Sequence, residues 1–393
     1  MGDVVIAGAV RTPIGRFLGG LSSFSAPQLG SMAVKEALAR AGISGDQIDE
    51  VIMGNVIEAG LGQNPARQAA IHGGVTVESG ALTINKVCGS GLKAVVLGTQ
   101  AIKLGDADIV VAGGMESMTN APYILRKART GYRLNDGKIV DAMVYDGLWD
   151  VFNDFHMGNT GELVAEKYKV PREEIDEYAC NSNLKAVKAH EEGKFAEELM
   201  SIEVPQRKGE PIIVDRDEGP RPKTTVEGLA KLKPVFKKDG TVTAGNASQI
   251  SDGASAMILL SEEKAKELGV EPLARVTGYA TGGMEPEWVM MTPTVAVPKL
   301  LEKTGMKIDD FDLIELNEAF AVQGVAVTKE LKLDPAKVNI HGGAVALGHP
   351  IGCSGNRILT TLIYALKSTG GKKGLATLCL GGGNAVALSV EII

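Results

Sequence analysis

Cysteine is scarce: four of 393 residues (Cys88, Cys180, Cys353 and Cys379), with no two at CxxC spacing. That spacing argues against a zinc knuckle or a CxxC redox pair, and no metal is expected. In a reducing compartment each thiol is then either an inert buried group or a reactive one. Proline numbers 16 with no collagen-like period. No apolar run reaches the roughly 18 residues a membrane-spanning helix needs. The opening Met1-Gly2-Asp3-Val4-Val5-Ile6 lacks a cationic stretch, and Ile6 stands where an N-myristoylation pattern requires Ser or Thr. The final Glu391-Ile392-Ile393 carries no retention or peroxisomal address. A cytoplasmic protein with no membrane partner is the expectation. Positive charge is not in excess either: 48 acids face 41 bases, net −7, which argues against a protein that coats nucleic acid. No GxGxxG follows a strand in the first βαβ unit, which sets aside a dinucleotide-dependent dehydrogenase.

Glycine is abundant, at 49 residues against an ordinary ~7 %. Without a collagen period, the excess belongs to tight turns and close backbone approaches. The length suggests two to three domain-sized units, and the chain repeats itself. Residues 33–49 align without gaps on 296–312, at a constant offset of 263, with identities at Ala33, Val34, Leu38, Gly42, Asp46 and Asp49. Each copy reads as an amphipathic helix stopped by glycine, then an Asp-containing turn into a strand (Val51-Ile52-Met53; Leu313-Ile314). A second correspondence follows. The strand Leu82–Val87 runs into Cys88-Gly89-Ser90-Gly91, a helix to about Leu104, the strand 108–112 and a double glycine. Gly352-Cys353-Ser354-Gly355 opens a helix to about Leu366, then the strand 375–379 and Gly381-Gly382-Gly383. Strands alternating with helices predict an α/β protein of two similar halves with mainly parallel sheets.

Residues 119–248 are different, richer in polar and charged residues, and read as an insertion on the first half. A helix starts there at Pro171-Arg172-Glu173-Glu174 and runs toward His190. The basic residues Arg207, Lys208, Arg216, Arg221, Lys223, Lys231, Lys233, Lys237 and Lys238 are dense for an acidic protein. On charge pattern alone they suit a solvated face better than a phosphate site.

Several residues could carry chemistry, each with an ordinary alternative. Cys88 sits between a strand and a helix start, where free N–H groups and the helix dipole favour thiolate; a strand-end cysteine is also commonly inert. His349, between Gly348 and Pro350, is held in a restrained turn that suits proton transfer, or a single structural hydrogen bond. Cys379 ends a strand before three glycines whose N–H groups could converge on an oxyanion, or simply turn the chain. Asn317-Glu318-Ala319-Phe320 follows a strand at its carboxyl end, where open sheets hold ligands, and Asn317 could equally cap a helix.

Taken in order, Cys88-Gly-Ser-Gly, Asn317-Glu-Ala-Phe, Gly348-His349-Pro350 and Cys379-x-Gly-Gly-Gly resemble the four active-site signatures of the thiolase family. Arg11-Thr12-Pro13, Gly62–Gln68 and Thr243–Ser248 extend the resemblance over essentially the whole chain. The resemblance implies a thiolase fold: two βα halves packed as a layered αβαβα core with an inserted loop domain. Residues 1–118 with 249–270 would form the first half, 119–248 the insertion and 271–393 the second half. It implies reversible Claisen condensation of two acetyl-CoA to acetoacetyl-CoA and CoA through an acyl-cysteine, with coenzyme A thioesters as substrates and no further cofactor. Cys88 would be the nucleophile. His349 would take its proton and help bind the thioester oxygen, and Asn317 would hold a water beside it. Cys379 would be the acid/base of the second step, and the N–H groups of Cys88 and Gly381 would form a second oxyanion hole. Leu148, His156, Met157, Arg221, Ala244 and Ser248 would line a coenzyme A channel, with Ala319 and Phe320 on the pantetheine arm. That implied role raises the phosphate reading of the basic residues above the solvated-face one. His156-Met157 resembles the short-chain biosynthetic members, which are usually homotetramers built as dimers of dimers.

The chain departs from the family pattern in three places. Cys353 and Asn356 replace two alanines after Gly352, and Cys353 reads as a packed small residue. His341 stands where Asn is common. The usual Met-Gly run near Glu287–Pro293 becomes Trp288-Val289-Met290-Met291-Thr292, which leaves chain-length preference open. The alternatives are a broader 3-ketoacyl-CoA thiolase of β-oxidation, a decarboxylating ketoacyl synthase, and a non-catalytic acyl-CoA-binding relative. Cys379 argues against the synthase; intact Cys88, His349 and Cys379 argue against the non-catalytic relative.

Overall fold

A strand that is apolar along its whole length must be covered on both faces, and several strands here are. The computed structural model describes residues 2–393. Its main sheet contains Val4–Arg11 (β1), Glu50–Gly54 (β2), Gly80–Ile84 (β3), Ile109–Ser117 (β4), Ser251–Ser261 (β5), Ala274–Gly283 (β6), Leu313–Leu316 (β7), Lys373–Leu380 (β8) and Asn384–Ile392 (β9). The helices that frame the site are Ala26–Ala41 (α1), Ser90–Leu104 (α2), Met157–Lys167 (α3), Arg172–Glu191 (α4), Pro293–Thr304 (α5), Ala321–Glu330 (α6) and Ile351–Thr369 (α7). Every residue of β1 and β4 is buried. Their cover is α1 on one side and the α2–α7 pair on the other. The second half repeats the scheme: α5 packs outside β6, β8 and β9, and α7 packs inside. The result is five layers, helix–sheet–helix–sheet–helix.

The duplication is visible strand by strand. The order β2-β4-β5-β1 in the first half matches β7-β8-β9-β6 in the second. In each, the first pair is parallel and the next two are antiparallel. The fifth strand of the first half, β3, has only a single bridge, Ile314 to Val338, as its counterpart. The halves join through β1 and β6 at Val5–Arg275 and Ile6–Ala274. The expected mainly parallel sheets are therefore corrected to mixed ones. After β4 the chain detours through the insertion and returns as β5, and β8 turns back on its glycines as a hairpin into β9; both returns are antiparallel.

The aligned aspartates have a shared task. Asp49 Oδ2 accepts from the N–H groups of Asp108 and Ile109 at 2.7 and 2.9 Å, and Asp312 Oδ2 from Lys372 and Lys373 at the same two distances. Each carboxylate ties the start of one strand to the start of its neighbour. Both preceding helices end on a left-handed glycine, Gly42 and Gly305. Where α2 and α7 cross, a Cβ on Gly91 would lie 2.7 Å from Asn356 N, and one on Gly355 2.4 Å from Leu92 N. Glycine at these matched positions lets two backbones approach at the centre of the molecule.

The insertion is held to the core by a buried ion cluster. Arg11, fully buried, donates to Glu198 at 2.5 Å and to both oxygens of Asp217 at 2.6 and 2.9 Å, and its guanidinium lies 5.0 Å from the Phe195 ring. Ile14 N–H also donates to Asp217. Burial alone would raise the Asp217 carboxyl; Arg11 and His190 outweigh it and hold Asp217 well below its ordinary value. Among the described residues no helix is long and apolar enough to cross a membrane.

Candidate active site

Cys88 is reached through an elbow. The strand reading of Leu82–Val87 is too long: β3 stops at Ile84. Val87 then takes φ 47°, a costly conformation for a β-branched residue. Three bonds hold it there. Asn85 Oδ1 accepts from Val87 N–H at 2.9 Å, and Ser90 Oγ accepts from Lys86 N–H at 2.8 Å while donating to Val87 O at 2.7 Å. The thiol that follows meets the N–H groups of Gly381 and of Cys88 itself.

His349 is fixed from the other half. Gly348 has φ 113°, and a Cβ there would lie 2.3 Å from Ser251 Oγ, so only glycine fits this turn. His349 N–H donates to Gln249 O at 3.1 Å and to Ser251 Oγ at 3.2 Å. Ring atom Nδ1 lies 2.6 Å from Ser354 Oγ, and Nε2 is buried without a protein partner. Cys379, buried at the end of β8, completes the group.

These side chains share one cavity of about 260 Å³. Cys88, His349, Cys379 and Gly381 meet in its wall, together with Leu148, His156, Met157, Ser248, Ala319 and Phe320. Asn317 is not in the lining. It is fully buried, and neither Nδ2 nor Oδ1 has a partner. It does not cap α6, whose N-cap is Phe320, so the capping alternative falls away. Arg221 and Ala244 are also outside the cavity. Both are exposed and line a narrow neighbouring cleft that shares Gln249 with it. The strap that Asp217 anchors continues through Gly219, whose carbonyl accepts from Gln249 Nε2 at 3.1 Å, and this leaves the Arg221 side chain toward solvent. The other basic residues of 207–238 singled out above are exposed too.

His156 plays an additional part. Its Nδ1 caps α3 by accepting from Gly158 N–H at 3.0 Å, and its ring stacks on Phe236 at 4.7 Å. Burial lowers its pKa. Sequence reasoning missed Phe236, an aromatic inside a basic loop, and also Met118, Gln249, Ile250 and Ile351. Phe236 and Met118 lie outside any chemical pattern, while Gln249, Ile250 and Ile351 lie just past the ends of two motifs, and the fold brings all five to the cavity. Val289 and Met290 line it as well, so the altered run near 287–293 does reach the site. Cys353 is buried in α7 outside the lining, and His341 packs edge-on to Phe195 at 5.8 Å. A larger open cleft of about 630 Å³ between α4 and α6 holds no cysteine or histidine.

The resting charges differ from the sequence expectation. Burial pushes the Cys88 thiol up to about 12, against the Gly381 and Cys88 N–H groups that pull it down, and the buried Glu116 carboxyl adds to the rise. Desolvation thus outweighs the helix start, and Cys88 rests as a thiol. Burial, with some help from Arg357, lowers His349 to about 3, so its ring is neutral. Burial, and then Cys88 beside it, raise Cys379. Two thiols and a neutral imidazole are what the cavity wall presents. That set suits acyl transfer at sulfur with proton exchange alongside.

The chain matches the thiolase N-terminal domain over residues 4–263 and the thiolase C-terminal domain over 270–392. The chain belongs to the thiolase family. Among similar thiolases, an acetyl-CoA acetyltransferase of Pseudomonas aeruginosa is 55 % identical over 390 residues, covering 99 % of each chain. A probable acetyl-CoA acyltransferase of Staphylococcus aureus is 51 % identical over 391 residues, 100 % of this chain and 99 % of the other. The crystal structure of an acetyl-CoA acetyltransferase of Bacillus anthracis matches this thiolase with a TM-score of 0.98 at 44 % identity, covering 100 % of this chain and 99 % of that one. These matches and the layered core bear out the expected thiolase fold.

Proposed function

We propose that this thiolase is an acetyl-CoA C-acetyltransferase, joining two acetyl-CoA to acetoacetyl-CoA and CoA and running the reverse. The observation that carries the reading is the shared cavity: two thiols and one imidazole, from both halves, against a narrow apolar wall. The names of the similar proteins from Pseudomonas aeruginosa and Bacillus anthracis support it.

The resting protonation orders the steps. Cys88 gives its proton to His349 Nε2 as Sγ attacks the thioester carbon. CoA departs as a thiolate and takes the proton of Cys379, which its raised pKa keeps protonated at rest. Cys379, now a thiolate, removes a proton from the methyl of a second acetyl-CoA. The enolate oxygen is met by protonated His349 and a water on Asn317. Its carbon attacks the acetyl group on Cys88, whose thioester oxygen lies against the N–H groups of Cys88 and Gly381. Cys88 leaves and regains its proton from His349, so every proton returns. Thioester and thiol exchange at near balance, and the fixed donors lower the barrier at the poorly acidic methyl.

Leu148, Met157 and Met290 close the apolar wall and favour the short chain. Mixing acetoacetyl-CoA with CoA should consume the β-ketoacyl absorbance. A 3-ketoacyl-CoA of six or eight carbons should react about tenfold or more slowly. Equal rates for both would favour the broader 3-ketoacyl-CoA thiolase instead.

The reading includes a homotetramer. Two surface features support it: β3 is an edge strand bearing exposed Leu82, and the segment 123–141 exposes Tyr123, Leu125, Leu134 and Ile139. Sedimentation velocity checks this, with a four-chain species expected and a stable monomer contradicting it.

A further inference from the structure

The two central helices carry matched serines in their first turns, Ser90 in Cys88-Gly-Ser-Gly and Ser354 in Gly352-Cys-Ser-Gly. Both are fully buried. Both bond back to a carbonyl just before their own helix: Ser90 Oγ to Val87 O at 2.7 Å, Ser354 Oγ to Pro350 O at 2.9 Å. Each also meets a group of the turn that carries a functional side chain. For Ser90 that group is Lys86 N–H, and the bond holds the elbow of Cys88. For Ser354 it is Nδ1 of His349, at 2.6 Å.

A serine hydroxyl has one proton and two lone pairs. Ser90 uses its proton on the carbonyl and receives a proton from Lys86 N–H. If Ser354 does the same, Nδ1 must be the donor. A neutral imidazole carries one N–H, so Nε2 is then bare. Nε2 is also the ring atom without a protein partner, and His349 lines the cavity. The backbone of His349 is held separately by Gln249 and Ser251, which leaves the ring orientation to Ser354.

We propose that Ser354 is a positioning residue for acyl transfer: its hydroxyl accepts the Nδ1 proton of His349 and keeps the bare Nε2 ready to take the proton of Cys88. The opposite tautomer would present an N–H to the thiol and could not act as its base. The partner that sets a histidine tautomer commonly controls the function of the other nitrogen. The duplicated fold thus uses one device twice, once for the nucleophile and once for its base. The inference rests on the thiolase reading for the reaction itself, whereas the hydrogen bond can be measured without turnover.

Nitrogen NMR of histidine-labelled protein, with His349 assigned by its loss in H349A, reads the tautomer. In wild type the signal should show Nδ1 protonated and Nε2 bare; in Ser354→Ala the two tautomers should mix. Ser354→Ala should lower kcat about 10- to 100-fold, with KM for acetoacetyl-CoA and the melting temperature close to wild type. Ser354→Thr, which keeps the hydroxyl, should recover most of kcat. A protonated Nε2 in wild type, or wild-type kcat in Ser354→Ala, would overturn the assignment. An inactive wild type with Nδ1 protonated would count against the reaction and not against the Ser354–His349 bond.

Discussion

Replacing Cys88 with alanine should lower kcat for acetoacetyl-CoA thiolysis by on the order of 10⁴-fold or more while the protein stays folded. The reason is chemical. In a double-displacement scheme the acetyl group must rest on the enzyme between two coenzyme A molecules, and Cys88 is the thiol at the helix start facing the Gly381 N–H. The other cavity thiol, Cys379, lies near the end of β8 in the second half, with no helix start beside it. The elbow survives the change, because Asn85 and Ser90 hold Val87 through its backbone. Steady-state kinetics beside a melting curve read both parts. Activity within tenfold of wild type would place the nucleophile elsewhere.

Cys379→Ser should separate the two half-reactions. Acetylation of Cys88 by acetyl-CoA should persist, since a departing CoA thiolate is stable enough to leave unaided. Condensation should fall by roughly 10²- to 10⁴-fold, the usual contribution of a positioned acid/base. A hydroxyl is too weak an acid to give its proton to CoA and then serve as the base that takes a methyl proton. Burial sharpens this, because even the Cys379 thiol is raised. Acetyl-enzyme formation, followed by radiolabel, should therefore proceed while acetoacetyl-CoA production stalls. Loss of both steps together would show that Cys379 is needed for the first transfer, and condensation near the wild-type rate would remove it from the mechanism.

Much of this architecture was legible because the chain says it twice. The offset of 263 anticipated two glycine caps and two aspartates with the same hydrogen-bonding task. Strand direction was less legible. Alternating helices and strands suggest parallel pairing, but the hairpin at Gly381–Gly383 and the return from the insertion are long-range events that local pattern does not encode. The catalytic candidates could be named from motif order, yet their protonation could not. A helix start favours thiolate, and the opposing desolvation depends on what the fold packs around Cys88. The placement of Arg221 and Ala244 is likewise set by tertiary structure. Their segment reaches the neighbourhood of the cavity, and the strap from Asp217 through Gly219 decides that both fall beside it. Phe236 had no signal beyond being apolar, and Ile250 and Ile351 had only their place beside a motif; tertiary packing made all three cavity wall.

Incubating the wild-type protein with acetyl-CoA alone, quenching in acid and mapping the peptides by mass spectrometry identifies the atom that holds the acetyl group. One acetyl per chain on the peptide carrying Cys88, released again by free CoA, is the expected result. An acetyl group on Cys379, Cys353 or Cys180, or none on any thiol while acetoacetyl-CoA still forms, would contradict the account.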